Sequence, residues 1–222
     1  SHHFDLLNWW IDSDPEEVSA FGALDFYGKN NSFRHTHCRP CPHKGECKFY
    51  KDITKDPWMM ELYAANESFD GYHRDGCVFR EDIDIFDKMA VQIRYANKVQ
   101  VSYALTAYSP YEGYRIAFNG TNGRLEAWIK EKQPWKEEES NDEIWVTTNF
   151  GQREIIKVSN AESGHGGGDA RLRKQVFNPG PDPYRQAAGS RAGTLSCLIG
   201  IAARNSIDTG KPVKIGEMIG GR

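Results

Sequence analysis

Four groups of residues in this chain have the types and spacing that chemistry requires. The chain begins Ser1-His2-His3-Phe4-Asp5-Leu6-Leu7-Asn8-Trp9-Trp10, crowding two imidazoles and a carboxylate together. An imidazole titrates near neutrality, so a histidine placed there can accept or donate a proton under working conditions. Further on, Cys38-x2-Cys41-x5-Cys47 is followed by Cys77. Four thiolates satisfy a tetrahedral Zn²⁺, and the two-residue gap of the first pair is common in structural zinc sites. Gly164-His165-Gly166-Gly167-Gly168-Asp169 presents a histidine and a carboxylate on permissive backbone. Tyr108-Ser109-Pro110-Tyr111-Glu112-Gly113-Tyr114-Arg115 combines ring faces, hydroxyls, a carboxylate and a guanidinium. Stacking surfaces beside multiple hydrogen-bonding groups are what a carbohydrate requires.

Each group has a plainer reading. Paired histidines at a chain start are also what a purification tag leaves, although these lead straight into a helical pattern. The four cysteines would suit two disulfides in an exported protein, or an iron–sulfur cluster. His35, His37 and His43 lie close enough in sequence to replace one cysteine in a metal site. The glycine loop departs from the Gly-x-Gly-x-x-Gly dinucleotide pattern. It also lacks the Gly-x-Ser-x-Gly elbow that accompanies a lipase oxyanion loop. A glycine turn with an incidental histidine, and a hairpin whose tyrosines pack on their own sheet, remain open. The fifth cysteine, Cys197, sits among Leu195, Leu198, Ile199 and Ile201 and reads as a buried helix residue.

The elements that must position these groups follow from periodicity. Leu6, Leu7, Trp9, Trp10 and Ile11 form the apolar face of an opening helix, stopped by Asp14-Pro15. A strand over 18–27 ends at Gly28, and residues 29–56 are polar and irregular, within a Cys-rich insertion spanning 29–80. Asp56-Pro57 starts a short helix over 58–66. Strands follow over 91–95 and 99–105, then 114–118 and 124–129 around a glycine turn, then 143–148 and 154–158. The charged stretch 131–142 reads as a solvated loop. Helices over 169–177 and 186–209 close the pattern, the last ended by Gly210-Lys211-Pro212. Strand runs bracketed by helices indicate an α+β fold: one domain over 1–222 with an open-faced, mostly antiparallel sheet, helices on one face and the Cys-rich loop inserted.

Composition sets outer limits. The chain has 222 residues, with 39% hydrophobic and 12% aromatic side chains, enough for a sizeable core. A net charge of −3 and a pI near 6.2 give no attraction to nucleic acid or an anionic membrane. No apolar run approaches the ~20 residues of a bilayer span. A helix that opens at residue 1 without a visible cap is expected of a chain cut from a longer protein. A missing leader is then uninformative, and both a cytoplasmic and a periplasmic bacterial location stay open.

Taken together, four segments carry a resemblance. They are the opening ten residues, Arg115-Ile116-Ala117-Phe118-Asn119-Gly120-Thr121-Asn122-Gly123-Arg124-Leu125-Glu126, the Gly164–Asp169 loop, and Gly200-Ile201-Ala202-Ala203-Arg204-Asn205-Ser206-Ile207-Asp208-Thr209-Gly210-Lys211-Pro212-Val213. The chain resembles the C-terminal domain of the Gfo/Idh/MocA oxidoreductases, and its cysteine knuckle is similar to that of a subset of Bacteroides-like bacterial members. The resemblance implies a glyceraldehyde-3-phosphate dehydrogenase-like C-terminal fold. It also implies NAD(P) bound mainly by an N-terminal Rossmann domain outside this chain, and a homo-oligomer formed through the open sheet face.

In the family pattern His-x-x-Asp-hydrophobic, His2 matches the active-site histidine and Asp5 the acidic residue. The family's partner to that histidine and its Glu-Lys-Pro lysine would precede Ser1, so this chain alone is expected to be inactive. The resemblance makes His165, Asp169, Tyr111 and Arg115 expected substrate contacts. The implied function is the substrate-binding and assembly half of an NAD(P)-dependent sugar or polyol oxidoreductase. Because the Gly-His-Gly-Gly-Gly-Asp loop is similar to the His-Gly-Gly loop of the family's NAD-dependent glycosidases, a redox-assisted glycosidase is a second reading. A non-catalytic sugar-binding or dimerising module is a third.

Overall fold

The computed structural model describes residues 2–135, 141–159 and 164–219. In chain order the elements are α1 (His2–Ile11), β1 (Pro15–Ala23), α2 (Pro57–Leu62), α3 (Glu67–Asp70), β2 (Lys88–Tyr95), β3 (Gln100–Thr106), β4 (Glu112–Gly120), β5 (Gly123–Lys132), β6 (Asn141–Thr148), β7 (Arg153–Ser159), α4 (Gly168–Phe177), α5 (Ser190–Thr209), β8 (Val213–Lys214) and α6 (Ile215–Ile219). Every strand pairing is antiparallel, and the architecture is α+β as expected. The strands lie in two four-stranded sheets where the sequence pattern suggested one. The chain divides into two compact units, 1–108 with 190–222, and 109–189. No helix among the described residues is long and apolar enough to cross a membrane.

The first unit holds the sheet ordered β3-β2-β1-β8. Side chains alternate across a strand, so one parity of β1 and β2 faces the core: Val18, Ala20, Val91, Ile93 and Tyr95 are all buried. α5 packs on β1 through Leu195, Ser196, Ile199, Ala202, Ala203 and Ser206, a stripe at helical spacing. Small residues let the helix come close. A Cβ added to Gly22 would sit 2.7 Å from Ile207 Cδ1. The stripe corrects the expectation for Cys197, which is exposed while its neighbour Ser196 is buried. One residue is about 100° of helix rotation, enough to exchange the two positions between core and solvent.

β8 pairs with β1 only at Glu17 and Val18, so the free edge of β1 beyond them needs other partners. The buried Ser206 Oγ accepts the Ala20 N–H at 3.0 Å. Ser206→Ala leaves that amide without its acceptor and should lower stability by about 1–3 kcal/mol, read by urea denaturation. An unchanged midpoint would show that water replaces the hydroxyl.

Local chemistry sets the element ends. Pro15 opens β1, where its missing N–H costs no ladder bond. Asp56 caps α2 by accepting the Met59 N–H, with Pro57 in the first turn. Gly210 ends α5 in left-handed backbone and donates its N–H to Ser206 O at 2.8 Å. α5 begins at Ser190 and not 186, because the Asp182 carboxylate accepts the Gln186 and Ala187 N–H groups and holds that stretch in a turn.

The second unit holds the meander β4-β5-β6-β7. β4 and β5 join through Thr121-Asn122, with Gly120 paired to Gly123. A Cβ at Gly123 would lie 2.3 Å from Thr147 O, so the approach of β6 requires glycine there. β7 is exposed along its whole length. Of the expected 131–142 loop, residues 131–132 belong to β5 and 141–142 to β6, and 136–140 lie outside the described residues.

Candidate functional site

At the head of α1, His2 is exposed and Asp5 half-buried one turn further along. Positions i and i+3 share a helix face, so the two groups are neighbours there. His3 points elsewhere. Its Nδ1 lies 2.9 Å from Tyr103 Oη on β3, and Phe4 packs on the same ring at 5.1 Å. Burial raises the Tyr103 phenol above its ordinary range, so it remains a neutral hydroxyl. Behind them, Tyr95 donates its hydroxyl to Asn8 Oδ1 at 2.9 Å, pinning α1 to β2. Sequence reasoning missed the partnership of His3 with Tyr103. The available signal was the inward parity of Tyr103 in an alternating strand.

The Cys-rich segment is organised around an ion-pair hub. Asp75, 2% exposed, accepts the Arg39 backbone N–H at 2.9 Å and both Nε and Nη2 at 3.1 Å. Arg39 Nη2 also bonds Glu67, which in turn meets His73 Nδ1 at 3.2 Å. Burial would raise the Asp75 carboxyl, but the Arg39 bonds outweigh it and the net direction is down. Beside the hub, the segments holding Cys38 and Cys77 run antiparallel. Cys38 N–H donates to Asp75 O at 2.8 Å and Cys77 N–H to Thr36 O at 3.1 Å. Turns closed by Cys41 N–H to Cys38 O and Cys47 N–H to His43 O bring in the other two thiols.

Cys38, Cys41, Cys47 and Cys77 line one cavity together with Phe33, Arg34, His37, Phe49, Tyr50, Val78 and Phe79. None of the four is in a disulfide. The expectation of a single zinc ion is not supported: among the described residues no group of three or more His, Cys, Asp or Glu is placed to hold a metal ion. Nor do the nearby histidines stand in for a cysteine. His43 Nδ1 is taken by Glu46 at 2.6 Å, His37 stacks on His73 at 4.3 Å, and His35 Nδ1 lies 3.2 Å from Thr36 Oγ1.

An aromatic cluster of Phe26, Tyr27, Phe49, Phe79 and Tyr108 backs this cavity, with Phe26 stacked on Tyr108 at 4.8 Å and Phe49 against Phe79 at 5.4 Å. Its position depends on Asp87, 2% exposed, which accepts the N–H groups of Asp25, Phe26 and Tyr27 at 3.0, 2.8 and 2.8 Å. Burial opposes the charge of Asp87, yet these three donors prevail and hold its pKa below the ordinary carboxylate value. A depressed folded-state pKa contributes stability above the unfolded value of ~3.9, and that stability is lost as pH falls through the folded value. Asp87→Asn should therefore cost about 1.5–3 kcal/mol near neutrality. The gap to the parent chain should close in acid, which denaturation at a series of pH values measures.

In the second unit, His165 Nδ1 meets Asp169 Oδ1 at 2.8 Å, with His165 86% exposed and in left-handed backbone. Asp169 lies inside the first turn of α4, whose cap is Gly167 without a side-chain bond. Tyr111 and Arg115 gather around a residue that sequence reasoning passed over, Trp128. Arg115 lies over its ring at 4.2 Å and Lys130 at 4.9 Å, with Tyr111 edge-on at 6.1 Å. Tyr111 also meets Trp135 at 5.3 Å, making an aromatic platform edged by cations.

These features define a class. The sequence profile of the "Oxidoreductase family, C-terminal alpha/beta domain" of Gfo/Idh/MocA proteins matches residues 1–215, and the chain belongs to that family. Among particular relatives, YteT of Bacillus subtilis (strain 168) is 34% identical over 98% of this chain. The chain spans 55% of the length of YteT. Two solved structures share the fold. One is a Desulfitobacterium hafniense protein assigned as an NADPH-dependent oxidoreductase, with a TM-score of 0.55, 13% identity, and coverage of 99% of this chain and 47% of that one. The other is the aldose-aldose oxidoreductase of Caulobacter crescentus complexed with glycerol, at 0.52, 11%, 96% and 45%.

Proposed function

We propose that this chain is the substrate-binding and assembly domain of an NAD(P)-dependent oxidoreductase acting on a sugar or polyol. The observation that carries the reading is the family match over 1–215 with His2 exposed and Asp5 half-buried on one face at the head of α1. When bound, nicotinamide would accept a hydride from the carbon bearing a substrate hydroxyl. Oxidation of an alcohol also releases the hydroxyl proton, which needs a base of near-neutral pKa. His2 is assigned that role and Asp5 the orientation of its imidazole. The glycine loop turns through left-handed His165 and Gly166, and its imidazole is engaged by Asp169. The dinucleotide is therefore assigned to the part of such enzymes that this chain does not span.

Tyr111 and Arg115, on the Trp128 platform, and the His165–Asp169 pair are proposed substrate contacts. A ring face with adjacent charged donors suits a sugar ring and its hydroxyls. Exposed apolar residues of the second sheet, among them Trp145, Ile155, Ile156 and Val158, support association of identical chains, which light scattering of the purified protein would test.

The test is dinucleotide reduction by the full-length parent against a panel of aldoses, inositols and other polyols. Reduction with at least one member is the expected result, and none with either NAD or NADP would overturn the reading. The glycosidase reading rests on the His165–Asp169 pair in its glycine loop. It predicts cleavage of a chromogenic glycoside only when catalytic NAD is present.

A further inference from the structure

The four-cysteine cavity carries an inference that is independent of the oxidoreductase reading. We propose that Cys38, Cys41, Cys47 and Cys77 hold a cubane iron–sulfur cluster, one thiolate to each iron. The first support is the contrast between enclosure and convergence. All four thiols line one cavity, yet no three of them are placed to bind a single ion. With Zn–S bonds of ~2.3 Å, a tetrahedral zinc draws its sulfurs to within about 4 Å of one another. A cubane puts its own body between the cysteines and needs a space with one thiol at each corner.

The second support is Arg34. Its Nη1 bonds Glu81 at 2.6 Å and its Nη2 the Lys29 and Asn31 carbonyls at 3.0 and 2.8 Å. Its Nε is buried and has no partner, in a side chain that lines the cavity. A buried donor left over in this way marks a missing acceptor. Cluster and thiolate sulfurs are such acceptors, and the guanidinium offsets the net negative charge of four thiolates on a cubane core.

The third support is the wall. Phe33, Phe49 and Phe79 line the same cavity as the four cysteines. Apolar rings keep water from a cluster and cannot stabilise four bare thiolates by themselves. Each thiol gives up its proton to solvent as its sulfur–iron bond forms. Ferrous and ferric iron in equal parts, with sulfide, supply the core without any further oxidant or reductant.

The chain is to be purified anaerobically and reconstituted with ferrous iron, ferric iron and sulfide, then assayed for bound iron, acid-labile sulfide and visible absorption. The expected result is about four irons and four sulfides per chain with a broad charge-transfer band. Stoichiometric zinc without sulfide, paired disulfides, or four free thiols after reconstitution would each overturn the proposal. Cys41→Ser and Cys77→Ser should each lose most of the bound iron, whereas Cys197→Ser should keep all of it. Because a cysteine variant could lose its fold, Arg34→Gln supplies a second readout. It should retain the iron and shift the reduction potential to more negative values, since a positive donor to sulfur is gone. An unmoved potential would remove Arg34 from the site, and iron retained by both cysteine variants would overturn the cluster itself.

Discussion

Replacing Arg39 with alanine should destabilise the first unit by about 3–5 kcal/mol, the range for removing one partner of a buried ion pair. The Asp75 side chain is wholly covered, and three of the hydrogen bonds to its carboxylate come from Arg39. Alanine keeps only the backbone N–H, so a charge stays buried with its main compensation removed, and Glu67 loses the same partner. The damage should spread to the cysteines, because Asp75 O receives the Cys38 N–H and the His37–Gly76 bridge lies beside it. Denaturant titration measures the loss. Arg39→Met with Asp75→Leu should cost less than the sum of the single changes, because an apolar pair leaves no stranded charge. A loss below about 1 kcal/mol for Arg39→Ala would place the pair among surface ion pairs instead.

Why this hub was not legible in the sequence, while α5 was, comes down to distance along the chain. α5 announces itself locally, with apolar and small residues at helical spacing and a glycine–proline stop. The α1 head and the strand–turn–strand around Asn97 are equally local. Asn97 Oδ1 accepts the Val99 N–H and Lys98 takes left-handed backbone, as a tight turn needs. Arg39 and Asp75, by contrast, are 36 residues apart, and no period connects them. The cysteines were visible because their type is rare and their spacing short. Their arrangement was not, since it depends on the pairing of residues 36–38 with 75–77. Trp128 was hidden for a similar reason. On β5 it reads as one more strand aromatic, and only the register with Arg115 across β4 makes it a platform. The division into two sheets escaped periodicity because a strand pattern does not state its neighbour. β3 and β4 are consecutive, but Pro110 interrupts the stretch between them and they pair in different sheets.

His2→Gln in the full-length parent should lower kcat/KM by about 10²–10⁴-fold, the usual contribution of a positioned general base. His2 is exposed in the first turn of α1, so the change removes a titrating group without opening the core. Thermal stability should stay near that of the parent. Glutamine can still hydrogen-bond at that position but cannot take up the hydroxyl proton. His3→Phe is the matched comparison. It removes the bond to Tyr103 Oη, and should cost about 1 kcal/mol of stability while leaving kcat/KM near that of the parent. Asp5→Asn separates orientation from proton transfer. If Asp5 holds the His2 ring, its loss should reduce kcat by less than His2→Gln does. If His2→Gln retained most of the turnover and His3→Phe abolished it, the base would be His3, with Tyr103 as its hydrogen-bonding partner. That outcome would move the proton-transfer site from the open end of α1 to its contact with β3.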